Sequence, residues 1–233
     1  IHQVTSIQPP PSDTFPIFQP IDLRHTEAFT DGSYATTNHD VHSIFYTRPQ
    51  HDPQPPTISA TAAILLCPTG PTPWTTNRLI GIRITNGADI EATSAYPMEA
   101  IAIAATLQLY AHIQHPNGRI TTDCLSLQKR IQHLRHTQKN STTAYHTILH
   151  AATHYAATTP TTIHWQKAHP EHDQPNPDEW TRAQTLNHLA DALADNTLSD
   201  SPIPHKQPFI ITVTASDILA GLIIPGQWHI TTP

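Results

Sequence analysis

Short apolar runs dominate the first third of this chain and helical spacing dominates the rest. Thr57 to Leu66 (TISATAAILL) and Leu79 to Thr85 (LIGIRIT) read as strands separated by the turn-rich CPTGPTPWTTN. Upstream, Glu27 to Thr30 forms the end of a first strand, with Ala28 and Phe29 leading into Asp31. Three antiparallel strands are expected. From Pro97 the period changes: Ala100, Ile103, Ala104, Leu107 and Tyr110 recur at helical spacing and make one buried stripe. Its alanines allow close approach to a sheet.

HPNG breaks this helix before Arg119 to Thr122, a fourth strand. Leu127, Ile131 and Leu134 mark the apolar face of the next helix, while Lys129, His133 and His136 share its far face. A third helix runs from about Thr143 to Ala157, and TTIHWQ from Thr161 is a fifth strand. The last helix spans roughly Glu179 to Thr197, with Leu186, Leu189, Ala190 and Leu193 inward. This order predicts an α/β fold: a mixed five-stranded sheet, three antiparallel strands then parallel additions, flanked by helices. Ligands of such sheets gather at strand ends, where Asp31 and Asp123 are expected.

At 233 residues the chain holds one domain with a core plus extensions. With 23 Pro against 7 Gly, much of it must be loop. Residues 1–24, containing QPPPSDTFPIFQP, read as a proline-rich tether. The domain is assigned to 25–198, with an inserted loop at about 38–57 in which Val41 to Tyr46 could add strand. Residues 199–233 form a C-terminal extension. Cys67 and Cys124 are too few for a disulfide framework or a zinc site, so an intracellular, reducing setting is expected. The apolar stretch Phe209 to Ile224 is too short and polar to span a bilayer. The start at Ile1 suggests a piece of a longer or processed polypeptide.

Four acids carry the candidate chemistry: Asp31 in AFTDGS, Glu99 in YPMEAIAIA, Asp123 in RITTDCLS and Asp191 in LNHLADALAD. Each alone has an ordinary reading. Asp31 fits a turn, Glu99 a first-turn acid after Pro97, Asp123 an N-cap, and Asp191 with Asp195 a solvated helix face. Together they read as a site for a divalent metal. Mg²⁺ takes hard oxygen ligands and keeps several waters, so a few convergent carboxylates suffice; Mn²⁺ accepts the same set. Two such ions roughly 4 Å apart activate water and stabilise a leaving oxygen in phosphodiester hydrolysis.

These four settings, with the HWQKAHPE stretch ending at Glu171, resemble the ribonuclease H family over roughly His25 to Leu198. Trp165-Gln-Lys167-Ala-His169 and Asn187-His-Leu-Ala190-Asp191-Ala-Leu193-Ala look closest to ribonuclease H domains of LINE-type retrotransposon polyproteins. The resemblance implies a ribonuclease H-like fold and metal-dependent cutting of the RNA strand of RNA–DNA hybrids, leaving a 5′-phosphate and a 3′-hydroxyl. It implies that Asp31 bridges two Mg²⁺ ions, that Glu99 and Asp123 complete one and Asp191 the other, and that His169 sits on a mobile loop aiding proton transfer or product release. A reverse transcriptase domain of the same polyprotein is the implied partner.

Departures from the pattern leave alternatives open. The His169 to Thr181 loop is longer and glycine-free, so His172 could replace His169. Cys124 stands where serine is common, His188 where glutamate is, and Asp195 lies one helical turn beyond Asp191. The net charge of −6 argues mildly against binding a phosphate backbone, but the local field matters more than the sum. Lys129, Arg130, Arg135 and Lys139 concentrate positive charge as a candidate substrate rail or a plain solvated face. Backbone groups at Gly32 and Ser33 would lie near the scissile phosphate. Hybrids would be read by shape and 2′-hydroxyls. An inactive ribonuclease H-like spacer and a DNA-cutting transposase relative are the competing readings.

Overall fold

The computed structural model describes residues 6–7, 21–37, 57–70, 78–85, 94–137, 146–203 and 208–214. The elements in chain order are β1 (Ser6–Ile7), β2 (Ile21–Asp22), β3 (Thr26–Thr37), β4 (Thr57–Pro68), β5 (Ile80–Thr85), α1 (Tyr96–His112), β6 (Arg119–Thr122), α2 (Leu125–Thr137), α3 (His146–Thr158), β7 (Thr162–Trp165), α4 (Arg182–Asp195) and β8 (Phe209–Thr214), with short 3₁₀ turns between. The main sheet runs β7-β6-β3-β4-β5-β8. β3, β4 and β5 are antiparallel neighbours, while β6 joins β3, β7 joins β6 and β8 joins β5 in parallel. The architecture is the mixed, helix-flanked α/β sheet expected from the sequence, with one strand more.

That sixth strand, β8, comes from the segment expected to be an extension. FIITVT carries the β-branched composition of a strand, and pairing it along β5 covers an otherwise open edge. Hydropathy along Phe209 to Ile224 carries no information about which sheet edge the segment completes. Among the described residues no helix is long and apolar enough to cross a membrane. Within the expected tether, β1 and β2 pair in a two-residue antiparallel ladder. The expected extra strand at Val41 to Tyr46, the rail residue Lys139 and the tail beyond Thr214 lie outside the described residues.

Alternation along β3 and β4 sends side chains to two cores. Ala28, Ala62, Ile64 and Leu66 pack with α1, whereas Phe29, Leu65 and Cys67 pack with Leu186, Leu189 and Ala190 of α4. The expected stripe of α1 is buried, but so are Ile101, Ala102, Ala105 and Thr106 around the rest of its circumference. This helix lies between the sheet and α3. A helix enclosed on both sides has no polar face to reveal a stripe. Leu127, Ile131 and Leu134 are buried on α2 as expected, with Lys129 and His133 exposed.

α4 is held to the sheet at both ends. Thr181 and Gln184 form a reciprocal capping box that starts it three residues later than the apolar pattern suggested, after a 3₁₀ turn at Pro177–Glu179. Arg182 donates to the buried Glu27 carboxylate of β3, to Pro68 O at 3.0 Å and to Cys67 Sγ at 3.1 Å. At the other end, Asn196 adopts a left-handed C-cap and its side chain accepts from Arg83 at 3.1 Å. Truncating Arg182 to Ala leaves Glu27 buried, with Arg119 3.9 Å away as its remaining ion-pair partner. We expect a loss of about 3 kcal/mol, seen as a lower urea midpoint at unchanged slope, because the cost is that of an uncompensated buried charge.

Candidate metal centre

β3 carries Asp31 past the point where its parallel neighbour stops. The β3–β6 ladder ends at Thr30 opposite Thr122, while β3 continues to Thr37 against β4. Asp31 is therefore not at the end of its own strand, as the sequence suggested, but at the end of β6. The antiparallel pairing of β3 with β4 extends the strand through the Asp-Gly-Ser that resembled a turn. Asp123 immediately follows β6, so the two carboxylates meet at the break in the ladder.

Glu99 reaches the same place from the first turn of α1, which begins directly against β3. A Cβ on Gly32 would lie 2.5 Å from the backbone nitrogen of Glu99 and 2.9 Å from Ala95 O. Only a glycine permits that approach. Oxygen atoms of Asp31, Glu99 and Asp123 all lie within 4.8 Å of one another. Asp31 and Glu99 are 5% and 6% exposed, so the carboxyls meet with little water between them.

The electrostatics follow from this crowding. Burial, then the neighbouring Asp123 and Asp191 carboxylates, push the Asp31 carboxyl up to about 8. Burial and then Asp31 and Asp123 hold Glu99 well above the usual carboxylate range. Asp123 is raised by burial and then by Asp191. Asp191 is raised by burial and then by Asp195, and its charge in turn helps to raise Asp31. Buried carboxylates this close repel one another, so without a cation the cluster resists full ionisation.

The donor set fits a hard divalent ion. Three carboxylates converge, Asp191 stands near enough to raise Asp31, and buried Glu99 Oε2 has no hydrogen-bond partner within the protein, which is costly unless a ligand satisfies it. Asp31, Glu99 and Asp123 would hold the ion at the ladder break. Asp191, brought to Asp31 by α4, would add its carboxylate. Asp195, one turn further along the helix, is exposed.

His169 stands beside this cluster, with Nδ1 3.8 Å from Asp191 Oδ2. Its backbone is left-handed at φ 51°, unusual for a residue with a side chain and frequent at functional positions. That turn folds Glu171 back so that Oε1 lies 3.2 Å from His169 Nδ1. The other Glu171 oxygen lies 3.6 Å from Nδ1 of His188, whose ring packs on Trp180. His172 is held ring to ring with His169 at 5.3 Å. The sequence motifs include Glu171 and His188 but assign neither a place beside His169. The contact exists only because His169 adopts a left-handed turn, and no composition signal announces that in a non-glycine residue.

The candidate substrate contacts separate. Gly32 and Ser33 lie on β3 directly after Asp31, and Lys129 is exposed on α2. Arg130 is half-buried, and Arg135 donates to Thr161 O at 3.4 Å in front of β7. The expected rail is thus partly engaged with the protein itself.

Comparison with known proteins found no matching family model and no matching curated sequence. Among solved structures, the chain is similar to RNase H1 from the halophilic archaeon Halobacterium salinarum, with 16% identity, 76% of this chain and 98% of that chain covered, and a TM-score of 0.44. It is also similar to LC9-RNase H1, a type 1 ribonuclease H with the type 2 active-site motif, at 12% identity, 75% and 72% coverage and a TM-score of 0.47. A third is the N-terminal ribonuclease H domain of a Mycobacterium tuberculosis protein, solved as a fusion with maltose-binding protein, at 10% identity, 75% and 95% coverage and a TM-score of 0.41.

Proposed function

We propose that this chain is a metal-dependent endoribonuclease that cuts the RNA strand of RNA–DNA hybrids. The observation that carries this reading is the convergence of Asp31, Glu99 and Asp123, with Asp191 near enough to raise Asp31, around a buried Glu99 oxygen that no protein group satisfies. Two divalent ions bound by these carboxylates would polarise the scissile phosphate and favour ionisation of the attacking water. The rest of the work belongs to the chain. The absence of a Cβ at Gly32 keeps Glu99 against Asp31. Glu171 holds His169 through Nδ1, the nitrogen that also faces Asp191, and Nε2 is left free of this contact to exchange a proton. A placement in a retroelement polyprotein, next to a reverse transcriptase domain, is supported by the resemblance of WQKAH and NHLADALA to such domains.

The test is cleavage of a labelled RNA–DNA hybrid beside single-stranded RNA, double-stranded RNA and double-stranded DNA, each in Mg²⁺, Mn²⁺ and EDTA. We expect metal-dependent cutting of the RNA strand of the hybrid alone. A folded protein that cuts nothing in either metal is an inactive module, and one that cuts DNA belongs with transposases; either result removes the proposal.

A further inference from the structure

Three large hydrophobic side chains are exposed among the described residues: Leu125, Trp165 and Ile210. Two of them are anchored on the backbone of Asp123, a residue of the candidate metal centre. The indole Nε1 of Trp165 donates to Asp123 O at 3.0 Å, and the backbone nitrogen of Leu125 donates to the same oxygen at 3.0 Å. Trp165 ends β7, in register with Thr122 at the end of β6, and remains 46% exposed despite that bond. Its ring is therefore held by its N–H and nearly half exposed, against the backbone of a residue whose carboxylate belongs to the site. The exposed part of that ring gains no burial from the fold itself. It is suited to an apolar surface presented by a ligand.

We infer that Trp165, with Leu125 beside it, is a substrate-positioning platform that packs against the sugar ring of the nucleotide next to the phosphate held at the carboxylates. The assignment rests on the proposed function and specifies its substrate contact. A phosphate at the carboxylate cluster places the adjoining sugar within reach of the neighbouring rim. In a duplex the base faces are stacked on one another, so the apolar surface open to a groove-bound protein is that of the sugars. Such a contact supplies orientation without charge. It complements a cluster that binds phosphate through metal and a chain whose net charge is −6.

The test measures binding of a labelled RNA–DNA hybrid to the full chain in Ca²⁺ across a salt series, for wild type, Trp165→Ala and Trp165→Phe, with hybrid cleavage in Mg²⁺ run alongside. The platform predicts about tenfold weaker binding by Trp165→Ala at every salt concentration, an unchanged slope of log affinity on log salt, and binding by Trp165→Phe within about twofold of wild type. Equal binding by wild type and Trp165→Ala overturns it. So does Trp165→Phe as weak as Trp165→Ala, which assigns the residue to holding Asp123 through its N–H, and so does a shallower salt slope, which marks a lost phosphate contact. Wild type that binds hybrid with this pattern but cuts nothing retains the platform and removes the nuclease. Wild type that binds no hybrid removes both.

Discussion

Asp31→Asn loses at least about 10³-fold in hybrid cleavage and, in EDTA at pH 8, melts at a higher temperature than wild type. The two effects have one cause. Asp31 is grouped with Glu99 and Asp123, and its carboxyl is raised from 3.8 to about 8 by burial and by Asp123 and Asp191. A carboxyl with a raised folded value binds more protons in the folded state than in the unfolded one. Stability of the metal-free protein therefore falls as pH rises from about 4 to about 8. Asparagine fills the same space without ionising. The change should remove about 2 kcal/mol of this repulsion, less than the full shift because the cluster shares its protons, and raise the melting temperature by roughly 5 °C at this size.

At pH 4 the difference should vanish, since the wild-type carboxyl is then protonated in the folded state. Mg²⁺ should reverse the order at pH 8 by stabilising wild type and leaving the variant unmoved. Melting curves at pH 4 and 8, each with EDTA and with Mg²⁺, check all four expectations. A variant less stable than wild type in EDTA at pH 8 would mean that Asp31 is a structural hydrogen-bonding residue, and the metal reading would fall with it.

The sequence exposed each acid with its immediate neighbours but not how the acids meet. Asp123 was legible because β6 is short and HPNG and Cys124 punctuate it. Glu99 was legible because Pro97 marks the start of a helix. Asp31 was recognisable, yet its strand was cut short, because Asp-Gly-Ser carries turn chemistry that pairing with β4 overrides. β8 stayed hidden for a similar reason: parallel pairing with β5 is a long-range event that no local pattern reports. The bond of Trp165 to Asp123 O likewise depends on the β6–β7 register, and the sequence offered only a tryptophan in a short strand.

Gly32 is the position where fold and chemistry are least separable, and Gly32→Ala should cost about 3 kcal/mol of stability and about 100-fold in cleavage rate. Its added Cβ meets backbone, the Glu99 nitrogen at 2.5 Å and Ala95 O at 2.9 Å, so no rotamer change relieves the contact. The start of α1 must lift from β3, and Glu99 moves with it, away from Asp31. Gly81→Ala is the matched control. There the Cβ meets Leu193 Cδ2 at 3.0 Å, the end of a flexible side chain, and a shift of a few tenths of an ångström suffices. That variant should lose about 1 kcal/mol and keep its activity. Urea unfolding and hybrid cleavage of both variants separate the two effects. If Gly32→Ala cuts at the wild-type rate, the site tolerates a displaced Glu99, and this carboxylate is a bystander rather than a ligand.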